Sequence, residues 1–136
     1  MKKALAFGTF DIFHKGHEFY LKQAGKYGKL YVIVARDSTV KKVKGKYPLN
    51  NEKKRLKVIQ DLDYVDKAYL GKEKDKYSII EELKPDIIVL GYDQKSFTSD
   101  LKKELRKRGL NIRIIRIKKS FKPEIYKSSK LAINNK

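Results

Sequence analysis

Five short segments rich in apolar residues, at 4–7, 30–35, 64–70, 87–90 and 112–117, alternate with stretches whose apolar residues return at helical spacing. No other feature of the sequence constrains the fold as much. A parallel neighbour needs a long return connection, and a helix supplies it, so strand-helix-strand alternation points to a parallel sheet. The run Leu30 to Ala35 is continuously apolar and rich in Val and Ile, as a strand buried on both faces requires. The expected fold class is α/β. It comprises one Rossmann-like domain over residues 1–136, with a five-stranded parallel sheet and helices on both faces. A chain of 136 residues can fill one core of this kind but not comfortably two.

Between the strands, Tyr20, Ala24 and Tyr27 fall at i, i+4 and i+7, which predicts a helix over 17–27 ending at Gly28. A second helix is expected over 52–62, capped by Asn50 or Asn51, with Leu56, Ile59 and Leu62 as its buried stripe. Ile79, Ile80 and Leu83 mark a third, which Pro85 stops. A fourth is expected from Ser99, as cap, to Arg108, burying Leu101 and Leu105 before Gly109. Residues 36–50 carry Lys41, Lys42, Lys44 and Lys46 with one glycine and one proline and no sustained period, and read as a basic loop.

The chain has 34 Lys and Arg against 16 Asp and Glu, a formal charge of +18. Such an excess suits a nucleic-acid binder, which gains affinity by counterion release, or a protein whose ligands carry several phosphates. Lysines on helix faces, such as Lys53, Lys54, Lys102 and Lys103, read as solvated surface. The longest unbroken apolar run, 30–35, is far short of the ~20 residues that cross a membrane, and no secretory segment is visible. There is no cysteine, which excludes disulfides and thiolate metal sites; a cytoplasmic location is the expectation.

In sheets of this type ligands bind beyond the carboxyl ends of the strands, where strand order reverses. The loops to inspect follow Phe7, Ala35, Leu90 and Ile117. The first reads Gly8-Thr9-Phe10-Asp11-Ile12-Phe13-His14-Lys15-Gly16-His17 and holds both histidines of the chain. Two imidazoles three residues apart, at the start of a helix whose first amides lack partners, suit an anion. Gly8 and Gly16 would let a phosphate approach the backbone. A zinc site on Asp11, His14 and His17 is open by ligand type, although no fourth ligand is evident; the histidines could also simply stabilise the loop. The phosphate loop GxxxxGK[ST] is absent, because Gly28-Lys29, Gly45-Lys46 and Gly71-Lys72 are followed by Leu30, Tyr47 and Glu73. GxGxxG is absent too.

GTFDIFHKGH, at 8–17, resembles the GTFDxxHxGH signature of the small cytidylyltransferase-like nucleotidyltransferases. Four further stretches are most similar to the archaeal FAD synthases: ARDSTVKKVKGK at 35–46, VDKAYLG at 65–71, ELKPDIIVLGYDQ at 82–94 and YKSS at 126–129. The resemblance implies transfer of AMP from ATP to the phosphate of FMN, giving FAD and pyrophosphate, with Mg2+ or another divalent cation. It implies in-line attack of the acceptor phosphate on the α-phosphorus. That step builds charge on the phosphate oxygens, so positioned donors and cations are what it needs. His14 and His17 are then the donors, and Gly8, Thr9, Phe10, Asp11, Lys15 and Gly16 line the nucleotide. Thr9 and Phe10 would act through their backbone, and Asp11 would orient a histidine or the metal.

By the same resemblance Lys44, then Lys42, meets the transferred or acceptor phosphate, and Arg55 contacts the acceptor phosphate. Gly91, Asp93 and Gln94 follow the fourth strand, where Asp93 can accept from ribose or adenine. Tyr92 and Phe97 suggest a stacking surface. Arg116 is a candidate phosphate or adenine contact. Ser128 and Ser129, flanked by Lys127 and Lys130, would cap a short helix facing the β- and γ-phosphates. Eleven residues separate Arg116 from Ser128, unlike the RTEGISTT element of glycerol-3-phosphate cytidylyltransferase, which argues against a glycerol phosphate acceptor. The alternatives are a nucleotidyltransferase using glycerol 3-phosphate with CTP, phosphopantetheine or a sugar phosphate, and a basic nucleic-acid-binding module without activity. A homodimer is expected from relatives.

Overall fold

The computed structural model describes residues 2–91, 94 and 100–117. Along the chain these form β1 (Lys3–Gly8), α1 (Lys15–Gly25), β2 (Lys29–Val34), α2 (Asp37–Lys44), α3 (Glu52–Gln60), β3 (Lys67–Leu70), α4 (Ser78–Leu83), β4 (Ile87–Leu90), α5 (Leu101–Lys107) and β5 (Arg113–Arg116). The five strands make one sheet in the order β3-β2-β1-β4-β5, every pairing parallel. It is the expected α/β architecture.

Period-two alternation explains how both faces are covered. Ala4, Ala6, Leu30, Val32, Val34, Ile87 and Val89 turn one way and pack with Tyr20, Leu21 and Ala24 of α1 and Ile59 of α3. Leu5, Ile33, Ile88 and Leu90 turn the other way, onto Ile79 and Ile80 of α4 and Leu101 and Leu105 of α5. Leu21 and Ile80 are fully buried. Each such side chain contributes about 1.5–3 kcal/mol of apolar burial.

Three boundaries differ from expectation, each for a local reason. α1 begins at Lys15 and closes at Gly25, two residues early at both ends, because His14 caps it; Tyr27 falls in the following turn, exposed. β3 is confined to 67–70, and Tyr64 and Val65 precede it in a turn. Residues 36–50 are not a loop throughout, since α2 occupies 37–44. Its start is secured from a distance: Asp37 N–H donates to Glu52 Oε1 at 2.8 Å, while Arg36 bonds the Gly71 carbonyl and Glu52. It ends on Gly45 in the left-handed region, φ 82°, whose N–H donates to Lys41 O. Asn51 caps α3 as expected, accepting from Lys54 N–H at 2.8 Å. The proposed Ser99 cap lies outside the described residues. No helix among the described residues is long and apolar enough to cross a membrane.

Candidate functional site

Strand order reverses between β1 and β4, so the turns after these strands share one crevice. Tyr20 ties the two strands together, its hydroxyl donating to Val89 O (2.6 Å) and accepting from Phe7 N–H (3.1 Å). The Gln94 side chain donates to Phe7 O and accepts from Gly91 N–H at 2.9 Å. Arg116 Nη1 donates to the carbonyls of Gly91 and Gln94, both at 2.8 Å. Gln94, after β4, and Arg116, at the end of β5, both brace the backbone of the turn after β4, and the Tyr20 hydroxyl also meets Gln94 Oε1 at 3.4 Å.

His14 is the N-cap of α1, in extended conformation. Its Nδ1 accepts from Gly16 N–H at 3.0 Å, and its ring also takes the His17 N–H, while His17 Nδ1 accepts from His14 N–H at 3.3 Å. This is a capping box with imidazoles in place of the usual hydroxyl and carboxylate. Two consequences follow. The first helix amides, expected to face an anion, are partly taken up by His14. And because both Nδ1 atoms accept, each neutral ring carries its proton on Nε2, so the donor role passes from backbone to imidazole. The rings stack with centroids 3.8 Å apart. Burial, then the neighbouring His14, then Lys44 push His17 down to about 3, against an opposing contact with the Ile12 backbone. His17 is a neutral donor at pH 7.

Phe10 explains why this turn is rigid. Its φ is 54°, unusual for a bulky residue, yet it is only 4% exposed. A Cβ on Gly8 would lie 2.4 Å from Phe10 Cζ. Gly8 is thus small enough to seat the Phe10 ring. That ring meets His17 edge-on at 5.3 Å, with Phe13 also against His17 at 5.8 Å.

Asp11 orients neither histidine. Its carboxylate accepts from Leu49 N–H and Asn50 N–H, both at 2.8 Å, and the Asn50 amide donates to Asp11 O at 2.6 Å, fastening the 45–51 segment to the first turn. Among the described residues no group of three or more His, Asp or Glu is arranged to hold a metal. Arg55 is likewise neither an acceptor-phosphate contact nor a surface charge. It is 1% exposed and donates to Asn50 O (2.9 Å), Thr9 O (2.8 Å), Ala35 O (2.8 Å) and Asp37 Oδ1 (2.7 Å). One guanidinium holds the turns after β1 and β2 and the start of α3. Lys44, in the last turn of α2, lies within electrostatic reach of His17; Lys42 and Lys15 are exposed. Tyr92, Asp93, Phe97, Ser128, Ser129, Lys127 and Lys130 lie outside the described residues.

Sequence reasoning passed over Arg36, Asp37 and Glu52 and read Asn50 only as a possible helix cap, although their partners are 15 to 39 residues away. For Arg55 a signal existed. It stands at i−4 from the core residue Ile59, on the buried stripe of α3.

The cytidylyltransferase-like family matches residues 5–132. An FAD synthase of Methanothermus fervidus is 50% identical over 131 residues, covering 93% of this chain and 90% of that one. An FAD synthase of Methanobrevibacter smithii is 46% identical over 136 residues, covering 96% and 88%. Among solved structures, a lipopolysaccharide core biosynthesis protein of Thermoplasma volcanium superposes with a TM-score of 0.82 at 45% identity, covering 89% of this chain and 98% of its own.

Proposed function

We propose, for a chain that belongs to the cytidylyltransferase-like family and is half identical to an archaeal FAD synthase, that it transfers AMP from ATP to FMN, giving FAD and pyrophosphate. A phosphate oxygen of FMN attacks the α-phosphorus of ATP, a new P–O bond forms, and the bond to the bridging oxygen of pyrophosphate breaks. The observation that carries the reading is the reciprocal cap of His14 and His17 beside the strand-order reversal. It fixes two imidazoles as Nε2 donors, suited to oxygens that gain charge as the pyrophosphate departs. His17, neutral at pH 7, keeps its proton on the enzyme while still donating a hydrogen bond.

Lys44 would bring its charge to the phosphate being transferred, with Lys42 beside it. Asp93 would accept from the nucleoside, and Ser128 and Ser129 would face the β- and γ-phosphates. A divalent cation fits as part of the MgATP substrate, because phosphate oxygens can supply most of its ligands; the described residues gather no carboxylate cluster for a resident ion. We place the enzyme in the cytoplasm, as a homodimer. The likeness to the Thermoplasma lipopolysaccharide core biosynthesis protein favours a second reading with a sugar phosphate acceptor.

Incubation with ATP, FMN and Mg2+ is expected to yield FAD and pyrophosphate. Turnover of a sugar phosphate with no FAD would select the second reading. Salt-sensitive duplex binding with neither turnover would select nucleic acid. Replacing His17 with Ala removes one donor to developing charge and should lower kcat at least ~100-fold; an undiminished rate would refute its role.

A further inference from the structure

Among the described residues, four of the six large apolar side chains left in solvent belong to the turn after β1 and the segment around the end of α2. Of the exposed ones, Ile12 belongs to the turn after β1, while Val43, Tyr47 and Leu49 belong to the end of α2 and the segment after it; Leu49 is 82% exposed and Tyr47 64%. Scattered singly, such residues need no explanation, but a cluster on the rim of a site does. Asp11 joins the two halves: its carboxylate takes the Leu49 and Asn50 amides, so Leu49 is held next to Ile12 by bonds that do not involve the apolar side chains. The rim is fixed while Ile12, Tyr47 and Leu49 stay exposed.

We propose that Ile12, Tyr47 and Leu49 form the platform for the flat ring of the acceptor, which makes this rim the determinant of acceptor class. The inference rests on the flavin reading above. It commits to an occupant with an aromatic plate at one end and a phosphate at the other, and the charge pattern matches both ends. Lys41, Lys42 and Lys44 occupy the last turn of α2 with Lys46 just beyond, and Lys44 bears on His17. A ligand whose ring lies on Tyr47 and Leu49 therefore finds cations and the histidine pair toward its phosphate. Tyr47 already has a cation on its face, with Lys41 Nζ 5.4 Å from the ring centroid. A glycerol phosphate has nothing to place on such a platform. Stacking and apolar contact act on the acceptor alone, since the nucleotide is expected at the crevice between β1 and β4.

The test uses the full chain with Tyr47→Ser and Leu49→Ser combined, both at exposed positions outside the core, and Tyr47→Phe as the conservative control. The double variant should raise KM for FMN at least ~10-fold while KM for ATP stays within about twofold; Tyr47→Phe should stay near the wild type. Titration of FMN by its own fluorescence should show the same loss of affinity. If the wild type makes FAD and the double variant keeps the wild-type KM for FMN, the platform is wrong and the flavin reading stands. If sedimentation shows the double variant losing a dimer while KM for FMN is unchanged, the patch is a contact between copies and the proposal falls. No FAD from the wild type would instead remove the flavin reading itself.

Discussion

Two arginines serve the helices on opposite faces of the sheet, and they do so under different solvation. Arg55 is sealed beneath the first turn, giving three of its hydrogen bonds to carbonyls and one to Asp37. Arg108, after α5, faces Asp75, Glu81 and Glu104 and lies against the Tyr77 ring, with its side chain partly in water. The charge count around Arg108 is higher, and its carboxylate partners hold the guanidinium pKa well above its ordinary value. Yet partners in water are screened and replaceable, whereas the carbonyls over the buried Arg55 lose a charged donor if it goes. The polar network around Arg55 therefore decides more, although it contains fewer ions.

Replacing Arg55 should give the largest effect. Arg55→Ala would leave the carbonyls of Thr9, Ala35 and Asn50 facing a cavity, at about 3–5 kcal/mol in a denaturation experiment. Arg55→Lys keeps the charge but cannot reach four acceptors in one plane, so it should recover only part of that stability. Equal stability for Arg55→Ala and the wild type would break the comparison at its root.

Next comes Gly8→Ala, which sharpens the contrast by disturbing the same turn without removing a charge. The added Cβ would overlap the Phe10 ring, and overpacking of this sort costs about 1–3 kcal/mol. Because Phe10 sits against His17, displacement of the ring should lower kcat about 10–100-fold in a steady-state assay, by misplacing the donor. A stable variant with full kcat would show that the Phe10 contact does not position the histidine.

How much of this could be read from the sequence varies with the range of the interactions. The strands and their parallel pairing were legible, because the alternation at Leu5 against Ala4 and Ala6 is local and repeats, whereas the strand order was not read from the sequence. The histidine turn was legible from its own ten residues. α2 was not, since of its described side chains only Val40 is buried and its first amide is capped by Glu52, fifteen residues on. The anchoring role of Asp11 was not legible for a related reason: its partners, Leu49 and Asn50, are 38 and 39 residues away. A hub such as Arg55 reads as surface charge unless its place on the apolar stripe of α3 is weighed more heavily than its type.

A smaller effect concerns His17 and pH. Its folded value of about 3 lies below the unfolded 6.5, so between those limits the unfolded chain binds a proton that the folded chain does not. Stability is unaffected by this group above about 6.5 and falls as the pH drops toward 3. The limiting slope is about 1.4 kcal/mol per unit, reduced by water at the partly exposed ring. His17→Gln should therefore lose less stability than the wild type between pH 6 and 4 in parallel urea titrations. Parallel curves would mean that the folded ring protonates normally.

Arg108→Ala should have the smallest effect, and its smallness is what gives the comparison content. Its Asp75 and Glu81 partners are about half exposed, so once the guanidinium is gone they are rehydrated and not stranded. The apolar contacts of α5 through Leu101 and Leu105 do not depend on it. No strand turn or histidine is among its partners, so kcat and KM should match the wild type, and the loss of stability should be a minor fraction of that for Arg55→Ala. Salt provides the internal control. High salt should weaken the exposed Arg108 network in the wild type and so bring the melting points of wild type and Arg108→Ala together, while leaving the gap to Arg55→Ala nearly unchanged. If salt closed the Arg55 gap instead, solvent would have to reach that guanidinium, and the turn holding His14 and His17 would rest on an exposed ion pair.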